Sequence, residues 1–224
     1  MSQIRTELKK LNEELEGTSA RLVAISKYHP AEAIIEAYEA GQRVFGESHV
    51  QELCQKQPVL PADIEWHFIG HLQTNKVKYI APFVALIHSV DSLKLLKEID
   101  RQAERNNRTI DCLLQIHIAQ EETKFGFLPS ELNELLESGE LASLPHVRIR
   151  GIMGMATNTD DERQIKDEFH RLHEIFETTR DRYFNGSDNF CELSMGMSDD
   201  YRIALEEGST LIRVGSKIFG QRVY

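Results

Sequence analysis

Eight short runs rich in apolar and β-branched residues recur along the chain, each separated from the next by a stretch with helical periodicity. They fall at about residues 21–26, 43–46, 64–68, 83–88, 110–118, 147–152, 190–193 and 210–214. Strands that alternate with helices run parallel, because an antiparallel pair needs only a hairpin whereas a parallel pair needs a crossover. Eight such units predict an α/β fold, a single (β/α)8 TIM barrel closed on itself with its helices outside. The intervening helices are clearest at residues 92–106, 130–138, 160–184 and 198–207, and an extra helix at about 4–16 precedes the first strand. The alternative, an open doubly wound sheet, predicts a Gly-x-Gly-x-x-Gly loop after the first strand, and that form is absent.

Two helix starts carry their own signals. Ser198 precedes Asp199-Asp200 and an Ile203-Ala204 core face, so its hydroxyl is expected to cap the helix while the acids complement its dipole, and Gly208 to stop it. Asp91-Ser92 plays the same opening part ahead of Leu93, Leu95, Leu96 and Ile99. No internal repeat, low-complexity segment or linker divides the chain, and 224 residues suffice for one sizeable core, so one domain over residues 1–224 is expected.

With 26 basic against 36 acidic residues, the formal charge of −10 argues against sequence-independent nucleic-acid binding. The charged amphipathic start lacks a signal-peptide core, and no apolar run is long enough to span a bilayer, so a cytoplasmic protein without membrane partners is expected. Cys54, Cys112 and Cys191 are odd in number and lack Cys-x-x-Cys spacing; buried thiols are the expectation.

The residues following the proposed strands are Lys27, Gly46-Glu47-Ser48, Gly70-His71-Leu72-Gln73, Ser89-Val90-Asp91, Glu121-Glu122-Thr123-Lys124, Met153-Gly154, Ser194 to Ser198, and Gly215-Ser216. Glycine and polar residues thus cluster at one end, the catalytic face of a barrel; structural glycines would scatter over both ends. Loops after the seventh and eighth strands form the usual phosphate site of such barrels, which points to Ser194, Met195, Gly196 and Ser198 in one loop and Gly215 and Ser216 in the other. Glycine lets backbone N–H groups approach an anion, and serine adds a compact donor. Either loop alone reads as a cap or a turn; both together favour phosphate.

Lys27 ends the run Leu22-Val23-Ala24-Ile25-Ser26-Lys27, on the same face as Val23 and Ile25. A solvated strand-end lysine is the bland reading; an amine facing the barrel mouth is the functional one, suited to attack on an aldehyde. An amine for an aldehyde and a cradle for a phosphate describe a pyridoxal phosphate site. Arg213 interrupts an apolar strand and needs an acceptor. A pyridine nitrogen would serve, leaving the ring a weak electron sink, and a structural arginine-carboxylate pair stands as the equal alternative. His67 and His71, and His170 and His173, lack a third ligand at metal spacing, so no metal site is assigned and surface or loop histidines are expected. Glu121-Glu122 reads as a solvated charge pair. Met153, Met155, Met195 and Met197 read as packing around a ring or the barrel mouth.

Residues Leu22 to Lys27, Phe45-Gly46-Glu47, Trp66-His67-Phe68-Ile69-Gly70-His71-Leu72-Gln73-Thr74-Asn75-Lys76, His88-Ser89-Val90-Asp91, Glu122-Thr123-Lys124, Arg150-Gly151-Ile152-Met153, Leu193 to Asp199 and Val214-Gly215-Ser216 together resemble the pyridoxal phosphate homeostasis protein family. The likeness runs essentially end to end, and the family is related to the N-terminal barrel of alanine racemase. The resemblance implies that Lys27 forms a Schiff base with pyridoxal 5'-phosphate, that Arg213 faces the pyridine nitrogen, and that Ser198, Gly215 and Ser216 hold the phosphate. It also implies vitamin B6 and amino-acid homeostasis without strong turnover. Ser48, Phe125, Gly154 and Ser216 depart from the family's usual asparagine, small or polar residue, alanine and threonine.

The function expected is therefore a non-catalytic carrier that limits and delivers the aldehyde, with pyridoxal phosphate-dependent apoenzymes as possible recipients, and a monomer. A small amino-acid racemase is the alternative; it needs a second base, supplied in alanine racemase with the help of an extra β-domain that a chain ending at Tyr224 is expected to lack. A cofactor-free Schiff-base aldolase would need acid and base groups around its lysine, and Lys27 has no obvious carboxylate nearby in sequence.

Overall fold

The computed structural model describes residues 2–121 and 125–220. Glu122, Thr123, Lys124 and Tyr224, named above, lie outside the described residues. The strands are β1 (Arg21–Ile25), β2 (Val44–Glu47), β3 (Glu65–Phe68), β4 (Leu86–Val90), β5 (Ile110–Gln115), β6 (Val147–Met153), β7 (Glu192–Ser194) and β8 (Leu211–Val214). All neighbours pair in parallel and β8 returns to β1, with Val23 opposite Arg213, so the sheet is the closed barrel expected.

Helix α1 (Gln3–Leu15) precedes the barrel and buries Leu8 and Leu11. The crossover helices are α2 (Ala31–Glu39), α3 (Val50–Lys56), α4 (Val77–Ile80), α5 (Leu93–Arg105), α6 (Pro129–Glu137), α7 (Glu162–Tyr183) and α8 (Tyr201–Glu206), and α9 (Ser216–Phe219) follows β8. Ser92 caps α5 as expected, its Oγ accepting the Leu95 N–H at 3.3 Å. Ser198 does not cap α8. Asp200 holds that position, and its Oδ1 accepts the Met197 N–H at 2.5 Å, closing the turn ahead of the helix.

Strand side chains alternate between two cores. Leu22, Ala24, Trp66, Phe68, Leu193 and Met195 face the helices in the larger, outer core. Val23, Ile25, Leu86, Leu113, Met153 and Leu211 fill the barrel interior. Both faces of each strand are therefore buried, which is why the strands read as nearly continuous apolar runs. Of the cysteines only Cys112 is fully buried, and burial pushes its thiol up; Cys54 is half-buried and Cys191 exposed, contrary to expectation.

Gly154, where alanine was expected, sits against α7: a Cβ there would come 2.6 Å from Leu172 Cδ2.

Candidate functional site

Lys27 lies two residues beyond Ile25 and half-buried at the C-terminal mouth. Its two sequence neighbours are clamped. Ser26 Oγ donates to Glu47 Oε1 at 2.6 Å, and the Tyr28 N–H donates to Glu52 Oε1 at 2.6 Å. Tyr28 adopts φ +66°, a left-handed conformation that a bulky side chain takes only when its surroundings impose it. Beneath this turn, the Nζ of buried Lys56 donates to Ser26 O at 2.8 Å and to Glu47 Oε1 and Glu52 Oε1, each at 2.7 Å. Burial pushes the Glu47 carboxyl up while Lys56 pulls it back. Removing either partner would strand a buried charge, so this cluster holds the segment carrying Lys27 in one conformation.

One cavity of about 300 Å³ opens at this mouth and is lined by Lys27, Ser198, Arg213, Gly215 and Ser216 together. The loops after β7 and β8 are joined within it, because the Gly215 N–H donates to Ser198 Oγ at 3.2 Å. Only glycine fits at 215: a Cβ would approach the Ile25 carbonyl oxygen to 2.9 Å. The cavity is also lined by Ser48, Gly70, Met155, Met197 and Asp199, which the sequence did not single out as ligand contacts. Met155 and Met197 thus sit at the barrel mouth, as read from sequence.

Arg213 is buried in the barrel interior, donating through Nη1 to Ser194 Oγ at 2.6 Å and through Nη2 to the Gly154 carbonyl at 3.1 Å. Among the described residues no carboxylate makes an ion pair with it, so the structural arginine-carboxylate pair is not what it forms. Burial lowers its pKa to about 10, against the opposing charge of Asp200, and it remains a guanidinium at neutral pH.

Three predicted contacts are placed elsewhere. Ser194 is fully buried between Arg213 and His88, whose Nδ1 lies 2.9 Å from Ser194 Oγ. Met195 faces outward into the core between sheet and helices. The Gly196 carbonyl accepts the Arg213 N–H at 3.0 Å. None of the three lines the cavity: Ser194, at the end of β7, points into the barrel interior, and Met195, just beyond it, points to the helices.

His67 is neither at the surface nor in a loop; it is fully buried inside the barrel, 2.9 Å from His88 Nε2 through its Nδ1. His71 is a loop residue, stacked on Phe125 and bonded to Asp91 at 3.1 Å. His170 and His173 lie on α7, with Nδ1 atoms 2.9 Å and 2.7 Å from oxygens of Glu207. Glu121 Oε1 accepts the Asn158 N–H at 3.1 Å. Among the described residues no group of three or more His, Cys, Asp or Glu side chains is arranged to hold a metal, and no helix is long and apolar enough to cross a membrane.

The profile of the family described as "Alanine racemase, N-terminal domain" matches residues 1–223. A pyridoxal phosphate homeostasis protein of Aquifex aeolicus is 41% identical over 206 residues, covering 92% of this chain and 88% of its own length. The chain belongs to the pyridoxal phosphate homeostasis protein family. The homeostasis protein of Escherichia coli is 37% identical over 91% of this chain and 86% of its own. Among solved structures, PipY of Synechococcus elongatus with pyridoxal phosphate bound superposes with a TM-score of 0.86 at 38% identity, covering 97% of this chain and all of PipY (100%). Alanine racemase of Bartonella henselae superposes with a TM-score of 0.71 at 15% identity, covering 99% of this chain and 61% of the racemase, and shares the barrel.

Proposed function

We propose that this chain is a pyridoxal phosphate carrier, with Lys27 supplying the amine that condenses with the cofactor's aldehyde. Ser198, Gly215 and Ser216 would hold the phosphate and Arg213 would face the ring nitrogen. One observation carries the reading: an amine, a guanidinium and a bonded pair of phosphate-type loops converge on one cavity at the C-terminal mouth. Its volume sits at the lower end of the range for small-molecule sites, about 300 to 1,000 Å³. The relatives' names and the PipY complex support the same cofactor.

When bound, the cofactor supplies an electrophilic aldehyde and an electron-accepting ring. The protein's part is to present and orient. The Glu47–Lys56–Glu52 cluster fixes the turn that aims Lys27. Gly215 brings its backbone close to the strand end, and Ser198 and Ser216 offer hydroxyl donors without bulk. Arg213 would donate a hydrogen bond to a ring nitrogen while keeping its own proton, which would leave the ring unprotonated and a weak electron sink. A weak electron sink argues against transamination or decarboxylation as the main chemistry. We read the protein as a cytoplasmic monomer that limits free aldehyde and hands it to cofactor-requiring apoenzymes.

Borohydride reduction after mixing with pyridoxal phosphate, followed by intact and peptide-level mass measurement, tests this. A single pyridoxyl adduct on Lys27 is expected, and none in Lys27→Ala. Scattered labelling of surface lysines, or sustained alanine racemisation that Lys27→Ala abolishes, would overturn the carrier reading.

A further inference from the structure

Inside the barrel, a line of polar side chains leads away from the cavity. Arg213 Nη1 donates to Ser194 Oγ at 2.6 Å, Ser194 Oγ meets His88 Nδ1 at 2.9 Å, His88 Nε2 meets His67 Nδ1 at 2.9 Å, and His67 Nε2 meets Glu65 Oε1 at 3.1 Å. Arg213, Ser194, His88 and His67 are all 4% exposed or less, whereas the Glu65 side chain is 43% exposed. Glu65 begins β3, so the line runs from the C-terminal mouth to the N-terminal one.

The two ends dictate the direction of every bond between them. A guanidinium can only donate and a carboxylate can only accept. Glu65 therefore accepts a hydrogen bond from His67 Nε2–H, which leaves His67 Nδ1 to accept from His88 Nε2–H. His88 Nδ1 then accepts the Ser194 hydroxyl proton, and Ser194 Oγ accepts from Arg213. Every donor and acceptor on the line is satisfied by this one arrangement, with both histidines neutral and both in the Nε2–H form.

We propose that Ser194, His88, His67 and Glu65 are a one-way hydrogen-bond relay that orients Arg213 toward the cavity and couples the cofactor end of the barrel to its opposite mouth. His88, His67 and Glu65 act as positioning residues through Ser194. A second proton on either imidazole would leave one hydrogen inside the barrel without an acceptor, so the relay excludes it. Burial holds both imidazoles below their usual pKa, His88 well below, reinforced for His88 by the nearby guanidinium of Arg213. The charged groups around the far end are Arg21 and Glu192, paired at 2.6 Å, with Thr210 Oγ1 donating to Glu192 at 2.8 Å.

The role of Arg213 toward a ring rests on the carrier reading; the direction of the relay does not. The first test therefore uses protein without cofactor: ring ¹⁵N shifts of His67 and His88 at pH 7, assigned with His67→Gln and His88→Gln. Protonated Nε2 and bare Nδ1 on both rings are expected. A doubly protonated ring, or Nδ1–H on either, overturns the relay. Glu65→Gln replaces the acceptor-only end with an amide that can also donate, so mixed tautomers are expected at both rings; unchanged shifts overturn the coupling.

The second test is retention of pyridoxal phosphate. His88→Leu keeps the bulk and cuts the line, and is expected to weaken retention about tenfold, the scale of one hydrogen bond to a charged group. His88→Gln, whose amide accepts at one end and donates at the other, is expected to restore most of it. Equal loss in both variants would reduce His88 to a packing residue and overturn the proposal. Failure of the Lys27 adduct would sink the carrier reading and leave the ¹⁵N result standing.

Discussion

At the scale of single residues, the cavity is built by side chains whose neighbours have already been committed. Ser198 Oγ bridges to the Gly215 N–H, and Ser216 lies exposed at the start of α9. If these groups hold a phosphate, Ser198→Ala with Ser216→Ala removes two donors to an anion, and retention of pyridoxal phosphate should fall roughly tenfold or more. Unchanged affinity by titration would place the phosphate elsewhere. The position of Lys27 at the barrel mouth was legible because it ends an apolar run and strand alternation gave its face. His67 was misread because polarity was taken for exposure. Between Trp66 and Phe68, which both face the helices, the alternate position faces a barrel interior, where burial is complete and polar groups persist only when paired. Of the groups on its line only Glu65, two residues back on β3, is local; His88 and Ser194 come from β4 and β7, and no local spacing could have announced them.

At the scale of elements, all eight strands fall within a few residues of where the apolar runs placed them. Doubly buried strands write continuous apolar runs, and their flanking turns write glycine and serine. Long helices were equally plain: α5 and α7 begin at side-chain caps, Ser92 and Asp161. Ser92→Ala should cost about 1 kcal/mol, read as a lower urea midpoint with an unchanged slope. The short helices α3 and α4 were not singled out, since one or two turns carry too little periodicity to register. The start of α8 was displaced because Ser198 and Asp200 are both good capping residues. Asp200 closes the turn through the Met197 N–H, leaving Ser198 to reach across to β8.

At the scale of the molecule, closure of the sheet leaves none of its eight described strands with an edge to pair with another chain. It also encloses two titratable rings. The folded-state pKa values of His67 and His88 are depressed, so as pH falls below about 6.5 the unfolded chain takes up protons that the fold refuses. Stability should be level in this respect above that range and fall below it, by up to about 1.4 kcal/mol per pH unit for each ring. Glu47, whose folded pKa is raised, works with the opposite sign from about 4.5 upward, so the comparison is made by difference. Urea midpoints of the native protein and His88→Gln, taken at pH 5.5 and 7.5, should show the smaller acid loss in the variant. The cluster under Lys27 has a chemical consequence for the whole chain. Lys56 is a second amine near the same strand ends, yet all three of its N–H bonds are engaged by Ser26, Glu47 and Glu52. An ammonium so occupied offers no lone pair to an electrophile. The scaffold that presents one lysine to the cavity thus silences its neighbour, and chemoselectivity comes from the same few atoms as rigidity.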